Sequence, residues 1–142
     1  MDAEDARRRF AAARVARLAT VGTDGAPHLV PLVFACDGDT VYSAVDHKRK
    51  RTTNLRRLAN LRHEPRCTLL VDHYDEDWSR LWWVRADGTA VVLDAPPADH
   101  PGTSLLVARY PAYRERAPSG PLLVVTVRRW SGWLASPGDG AA

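Results

Sequence analysis

The chain has 142 residues, 45% of them apolar and 26% charged, with a formal net charge of +3. That length supports one domain with a real core, and the composition excludes an intrinsically disordered chain. No apolar run approaches the roughly 18 residues that cross a bilayer, and residues 1–17 lack the apolar core of a secretory signal, so a cytoplasmic protein without a membrane partner is expected.

Residues 2–13 open on Asp2 as a cap, continue with early acids and end in arginines and alanines, which predicts a short helix within 1–13. Residues 15–21 (VARLATV) alternate imperfectly, 23–27 (TDGAP) is turn chemistry, and 28–36 (HLVPLVFAC) is a second apolar run, so a hairpin is expected. Asp37, Gly38 and Asp39 then turn the chain into a third strand over 40–44. Pro31 has no N–H to give a ladder; it implies a bulge, or an edge that borders something else such as a ligand.

After that strand the chain becomes cationic. Lys48 and Lys50 are the only lysines, and they stand beside Arg49 and Arg51 directly ahead of Thr52 and Thr53. A helix is expected over 53–62, with Leu55, Leu58, Ala59 and Arg62 at helical spacing and Pro65 marking its end. Its N-terminus carries unpaired N–H groups and the positive end of the macrodipole, so four cations ahead of it suit a phosphate. Eight of the 20 cations lie between Lys48 and Arg66 with only Glu64 opposing them. So concentrated a charge favours a small anion over nucleic acid, which would meet a broad basic face.

Further strands are expected over 67–72, over 81–93 with an interruption at Asp87 and Gly88, and over 121–130. A polar loop covers 73–80, a weak helical segment broken at Pro111 covers 103–116, and 138–142 reads as a frayed tail. The fold class is therefore mainly β with a few helices: six or seven antiparallel strands in a closed or nearly closed barrel, one domain over 1–142.

Catalytic signatures are absent: there is no GxSxG, HExxH, Walker loop or GxGxxG. The five histidines lack metal-ligand spacing, so no metal is expected. Cys36 and Cys67, each in an apolar run, are expected as reduced core residues. Asp72, Asp75, Glu76 and Asp77 read as a solvent-facing acidic loop. Near them Tyr74, Trp78, Trp82 and Trp83 surround Arg80, where a planar heterocycle could stack while the guanidinium meets an anion.

The succession ARLATVGTDGAPHLVPLVFACDGDTVYSAVDHKRKR, a helix ending NLRHEPR, then CTLLVDHYDEDWSRLWWVRADGTAVVL resembles the pyridoxamine-phosphate-oxidase-like flavin and deazaflavin oxidoreductases. More narrowly, it resembles their actinobacterial coenzyme F-420-dependent branch. The resemblance spans residues 17–93 and extends to GPLLVVTVRRWSGW, and it implies a split β-barrel that dimerises with two cofactor sites between subunits. It assigns the phosphate to Ser43, Lys48, Arg49, Lys50, Arg51 and Thr52. It lays the tricyclic ring against His28, Leu29, Val30 and Pro31, and it brings Trp78 and Arg80 to the partner's site. No catalytic side chain is implied, because the cofactor carries the hydride.

The resemblance leaves several readings. The first is an enzyme moving a hydride to or from a small conjugated substrate with coenzyme F-420, whose acidic tail would use the extra cations. The others are an FMN enzyme of the pyridoxamine-phosphate-oxidase type, a non-catalytic deazaflavin carrier, and a nucleic-acid binder using 48–66.

Overall fold

The computed structural model describes residues 1–45 and 52–136, with side chains in the second stretch described from residue 56 onward. Helix α1 (Ala3–Ala12) starts where Asp2 accepts a hydrogen bond from Asp5 N–H at 2.8 Å, and it carries Glu4 and Asp5 in its first turn against the macrodipole. It seats Ala6 and Phe10 in the core, Phe10 meeting Phe34 at 4.8 Å and Trp130 at 5.3 Å between ring centroids.

Seven antiparallel strands form one sheet: β1 (Ala16–Val21), β2 (Pro27–Leu32), β3 (Ala35–Asp37), β4 (Thr40–Ala44), β5 (Arg66–His73), β6 (Trp82–Leu93) and β7 (Leu122–Leu134), ordered β2-β1-β5-β6-β7-β4-β3. Gly25 and Gly38 supply positive φ, 82° and 58°, in the β1–β2 and β3–β4 turns. The single apolar run over 28–36 is thus two strands that lie on opposite edges. Only Val33 and Phe34 separate them, a reach of about 11 Å, whereas a flat sheet would hold its edges about 29 Å apart. The sheet therefore curls around its core and stays open between β2 and β3.

Alternation sets the faces. Leu18, Leu69, Val71, Val84, Leu123 and Val125 point inward with Phe10 and Phe34, while Arg17, Leu70, Arg85 and Trp133 line the outside. In β7 both Val127 and Trp130 pack on the core, three residues apart. The register explains this: Asp87 pairs with Arg129 and Gly88 with Val127, so Arg128 is an extra residue that flips the phase. The irregularity expected at Asp87 and Gly88 is therefore a bulge whose added residue belongs to the facing strand.

Helix α2 (Thr52–His63) covers one end of the barrel, burying Leu58 and Leu61. Helices α3 (Pro101–Arg109) and α4 (Pro111–Glu115) replace the expected broken helix, divided at the proline. Under α3 lies a second apolar cluster of Ala35, Leu106 and Leu122. Gly102 lets α3 approach closely, because a Cβ there would sit 2.4 Å from the Tyr42 ring. Gly102→Ala should lower stability by about 1–3 kcal/mol by overpacking, read as a reduced urea midpoint.

Two carboxylates give the fold an acid-sensitive edge. The Arg66 guanidinium and N–H hold Glu64 at about 2, down from 4.5. Trp130 and Arg7 likewise lower Asp39, which accepts from Trp130 Nε1 at 2.9 Å and Arg7 Nε at 3.0 Å. A depressed carboxyl stabilises fully above its unfolded value and loses that contribution as pH falls through the folded one. Stability should therefore decline from pH 4.5 toward 2, and Glu64→Gln should flatten part of that limb in pH-dependent melting.

Candidate cofactor site

Strand β2 owes its character to hydrogen-bond phase. Gly22 N–H donates to the Ala26 carbonyl at 2.9 Å, so these form a bonded pair, and by alternation Thr20/His28, Leu18/Val30 and Ala16/Leu32 do too. The backbone groups of Pro27, Leu29 and Pro31 therefore point away from β1 into the open edge. Pro31 removes no ladder bond, which settles how a proline fits here without a bulge. The edge offers three carbonyls and one N–H, that of Leu29. Such an edge resists another strand but can receive a flat ligand, and the Leu29 side chain is 66% exposed beside it. Val30 turns inward against the core.

At the other end of β2 a polar pocket of about 340 Å³ is lined by His28, Asp24, Arg56 and Asn60. Asn60 is buried and donates to Thr20 Oγ1 at 3.0 Å, which ties α2 to β1. His28 Nδ1 is buried and has no hydrogen-bond partner among the described residues. A buried imidazole nitrogen left unpaired beside a pocket is a polar group awaiting one. Arg56 lies one helical turn after Thr52, so this pocket connects the β2 edge with the start of α2. Lys48, Arg49, Lys50 and Arg51 lie outside the described residues, as does the side chain of Thr52.

Across the outer face runs a groove of about 710 Å³ whose walls include Leu29, Arg17, Leu70, Trp83, Arg85 and Trp133. Registers explain the assembly: Arg17 faces Leu70, Leu70 faces Arg85, and Trp83 faces Trp133. Arg85 lies 5.8 Å over the Trp83 ring and donates to Asp87 at 3.2 Å. Trp78 and Arg80 form a 3-10 turn (Trp78–Arg80) capped by Asp77, which accepts from Ser79 N–H at 3.1 Å and Oγ at 2.6 Å. These bonds hold the Asp77 carboxyl below its usual range. Asp75 accepts from Asp77 N–H at 2.8 Å and stands 3.5 Å from Arg80, so Asp75 and Asp77 are committed to their own turn. The turn's flanks, Tyr74 and Leu81, reach the same groove as Leu29.

The chain that folds into this open sheet matches a family model, pyridoxamine 5'-phosphate oxidase, over residues 3–134. The chain belongs to the pyridoxamine 5'-phosphate oxidase family. This flavin-binding family includes oxidoreductases. Solved structures with the same fold include a conserved hypothetical protein from Mycobacterium tuberculosis, 22% identical, TM-score 0.74, covering 94% of this chain and 84% of that one. An FAD-binding protein from Mesorhizobium loti is 22% identical, TM-score 0.66, covering 93% and 94%. HutZ, the heme storage protein from Vibrio cholerae, is 14% identical, TM-score 0.66, covering 94% and 95%. No curated protein matches the chain.

Within this member of the pyridoxamine 5'-phosphate oxidase family, the seam is held by side chains. Ser43 is buried and its hydroxyl donates to the Val33 carbonyl at 2.8 Å, so in this structure it secures the β2–β3 link. Tyr110 Oη accepts from Phe34 N–H at 3.0 Å and stands 2.6 Å from the Phe34 carbonyl, while Arg109 donates to the same carbonyl at 2.9 Å and to that of Ala13. Sequence reasoning missed Arg109, Tyr110, Arg56 and Asn60; the one available signal was an arginine and a tyrosine ending a helix immediately before Pro111. Burial pushes the Cys36 and Cys67 thiols up to about 12, which removes both as nucleophiles at neutral pH. Among the described residues no three His, Cys, Asp or Glu side chains gather to hold a metal, and no helix is long and apolar enough to cross a membrane.

Proposed function

We propose that this protein is a coenzyme F-420-dependent oxidoreductase that moves a hydride to or from a small conjugated substrate, with the cofactor held between two copies of the chain. The observation carrying this reading is the β2 edge, which exposes one N–H among carbonyls and leads into a pocket with an unpaired His28 Nδ1. The Leu29 N–H and the flanking carbonyls fit the polar rim of a flat heterocycle. When bound, the deazaflavin supplies two-electron hydride chemistry.

The chain's own residues bind, orient and exclude water. Leu29 presents its N–H and C=O to the ring edge, and His28 and Arg56 face the adjoining pocket. Lys48, Arg49, Lys50, Arg51 and Thr52 supply cations and a hydroxyl for phosphate, with Arg56 extending their charge along α2. Trp83 and Trp133 wall the outer groove, which a second copy closes, and Trp78 and Arg80, on the turn between Tyr74 and Leu81, reach toward the partner's site. No proton transfer is required of a side chain, consistent with the absence of a catalytic dyad in the sequence.

The deciding experiment titrates purified apoprotein in parallel with coenzyme F-420, FMN and hemin, the last because one structural neighbour is a heme storage protein. Coenzyme F-420 should bind most tightly. Tighter FMN binding would replace this reading with the flavin one, and tight F-420 binding without turnover of any acceptor would mark a carrier. Sedimentation equilibrium should give twice 15.7 kDa, and Trp133→Glu should shift the protein to monomer; a wild-type monomer at working concentration would remove the shared site.

A further inference from the structure

Beside the outer groove lies a second one of about 560 Å³, bounded by the end of α1 and the start of β1 and lined by Arg8, Arg9, Arg14 and Arg17. The two share Arg17, Asp72, His73 and Trp82, so they form one continuous channel with unlike ends. One end is aromatic and apolar. The other holds four guanidinium groups opposed by two carboxylates, with Arg8 and Arg9 both paired to Asp5. Among the described residues Arg17 has only Asp72, at 4.0 Å, and Arg14 has no acidic side chain at all. Trp82 stands where the ends meet, with Arg9 5.4 Å from its ring centre and His73 stacked at 6.2 Å and 20°.

We propose that this channel selects a planar conjugated carboxylate, its ring on Trp83 at the outer face and its carboxylate on Arg14 and Arg17. A guanidinium fork matches a carboxylate in two parallel hydrogen bonds, and an arginine without an acid partner keeps all five donors available. The aromatic floor gives a flat apolar body a surface that a simple inorganic anion would not need. The inference rests on the preceding reading for the ligand's role as hydride partner, and on the channel alone for its binding.

Equilibrium dialysis of the full chain without added cofactor tests it, using 2-naphthoate and 2-naphthamide, which have nearly the same shape and differ in charge. The carboxylate should bind about tenfold tighter than the amide, the effect of one good charge-assisted contact in a partly wet groove. Arg14→Gln and Arg17→Gln should each erase most of that preference while leaving 2-naphthamide affinity unchanged, which also reports that the variants are folded. Arg128→Gln, on the β7 bulge, should preserve the preference. Equal affinity for the two probes, an undiminished preference in both channel variants, or an equal loss in Arg128→Gln would overturn the proposal. Failure of the cofactor reading shows separately, in the titration with coenzyme F-420.

Discussion

Lys48→Ala combined with Lys50→Ala is expected to weaken coenzyme F-420 binding by about 1.5–3 kcal/mol for each charge-assisted hydrogen bond removed, without moving the unfolding midpoint. Both residues precede Thr52, the first residue of α2, where helix N–H groups already favour an anion. The reason for a large effect is the concentration of charge at one small target: removing two ammonium groups leaves Arg49 and Arg51 as the remaining cations of the stretch, with Arg56 a turn further along α2. Isothermal titration of wild type and variant with coenzyme F-420 checks this. Unchanged affinity would take the cationic stretch out of the site, and a lowered midpoint would show that the lysines support the fold.

Arg109→Ala should cost about 3 kcal/mol of stability, and Tyr110→Phe about 1–2 kcal/mol, since each strips hydrogen bonds from partly buried backbone groups. Across the open seam the ladder stops, and the Phe34 N–H and carbonyl would go unpaired but for these two side chains. Arg109 also packs 5.1 Å over the Phe34 ring and 5.4 Å over the Tyr110 ring, so truncation removes packed area as well as donors. Urea unfolding of both variants gives the measurement. Because Phe34 lies just beyond the end of β2, a loosened seam should also weaken ligand binding at the β2 edge; Tyr110→Phe with unchanged stability would show that water replaces the hydroxyl at no cost.

Much of this architecture was written locally. Asp2 as a cap, the Asp-Gly turns, Pro111 between two helices and the alternation of β5 each depend on neighbours a few residues away, and each appears where the sequence puts it. The basic stretch ahead of α2 and the exposed proline of β2 were legible for the same reason: charge spacing and a missing N–H are properties of a short segment.

What local pattern could not supply is pairing. An apolar run says that a segment is buried, not which strand lies beside it, so 28–36 reads as one strand until the chain must reach from one sheet edge to the other. The Arg128 bulge reverses the face of everything after it, placing Trp130 inside and Trp133 outside. His28 meets Arg56 and Asn60 only because β2 and α2 come together from distant parts of the chain, and Arg14 joins Arg17 in one groove only once α1 has packed. Short-range sterics and hydrogen bonding decide elements; long-range closure of the sheet decides which side chains share a surface, and sites are made of shared surfaces.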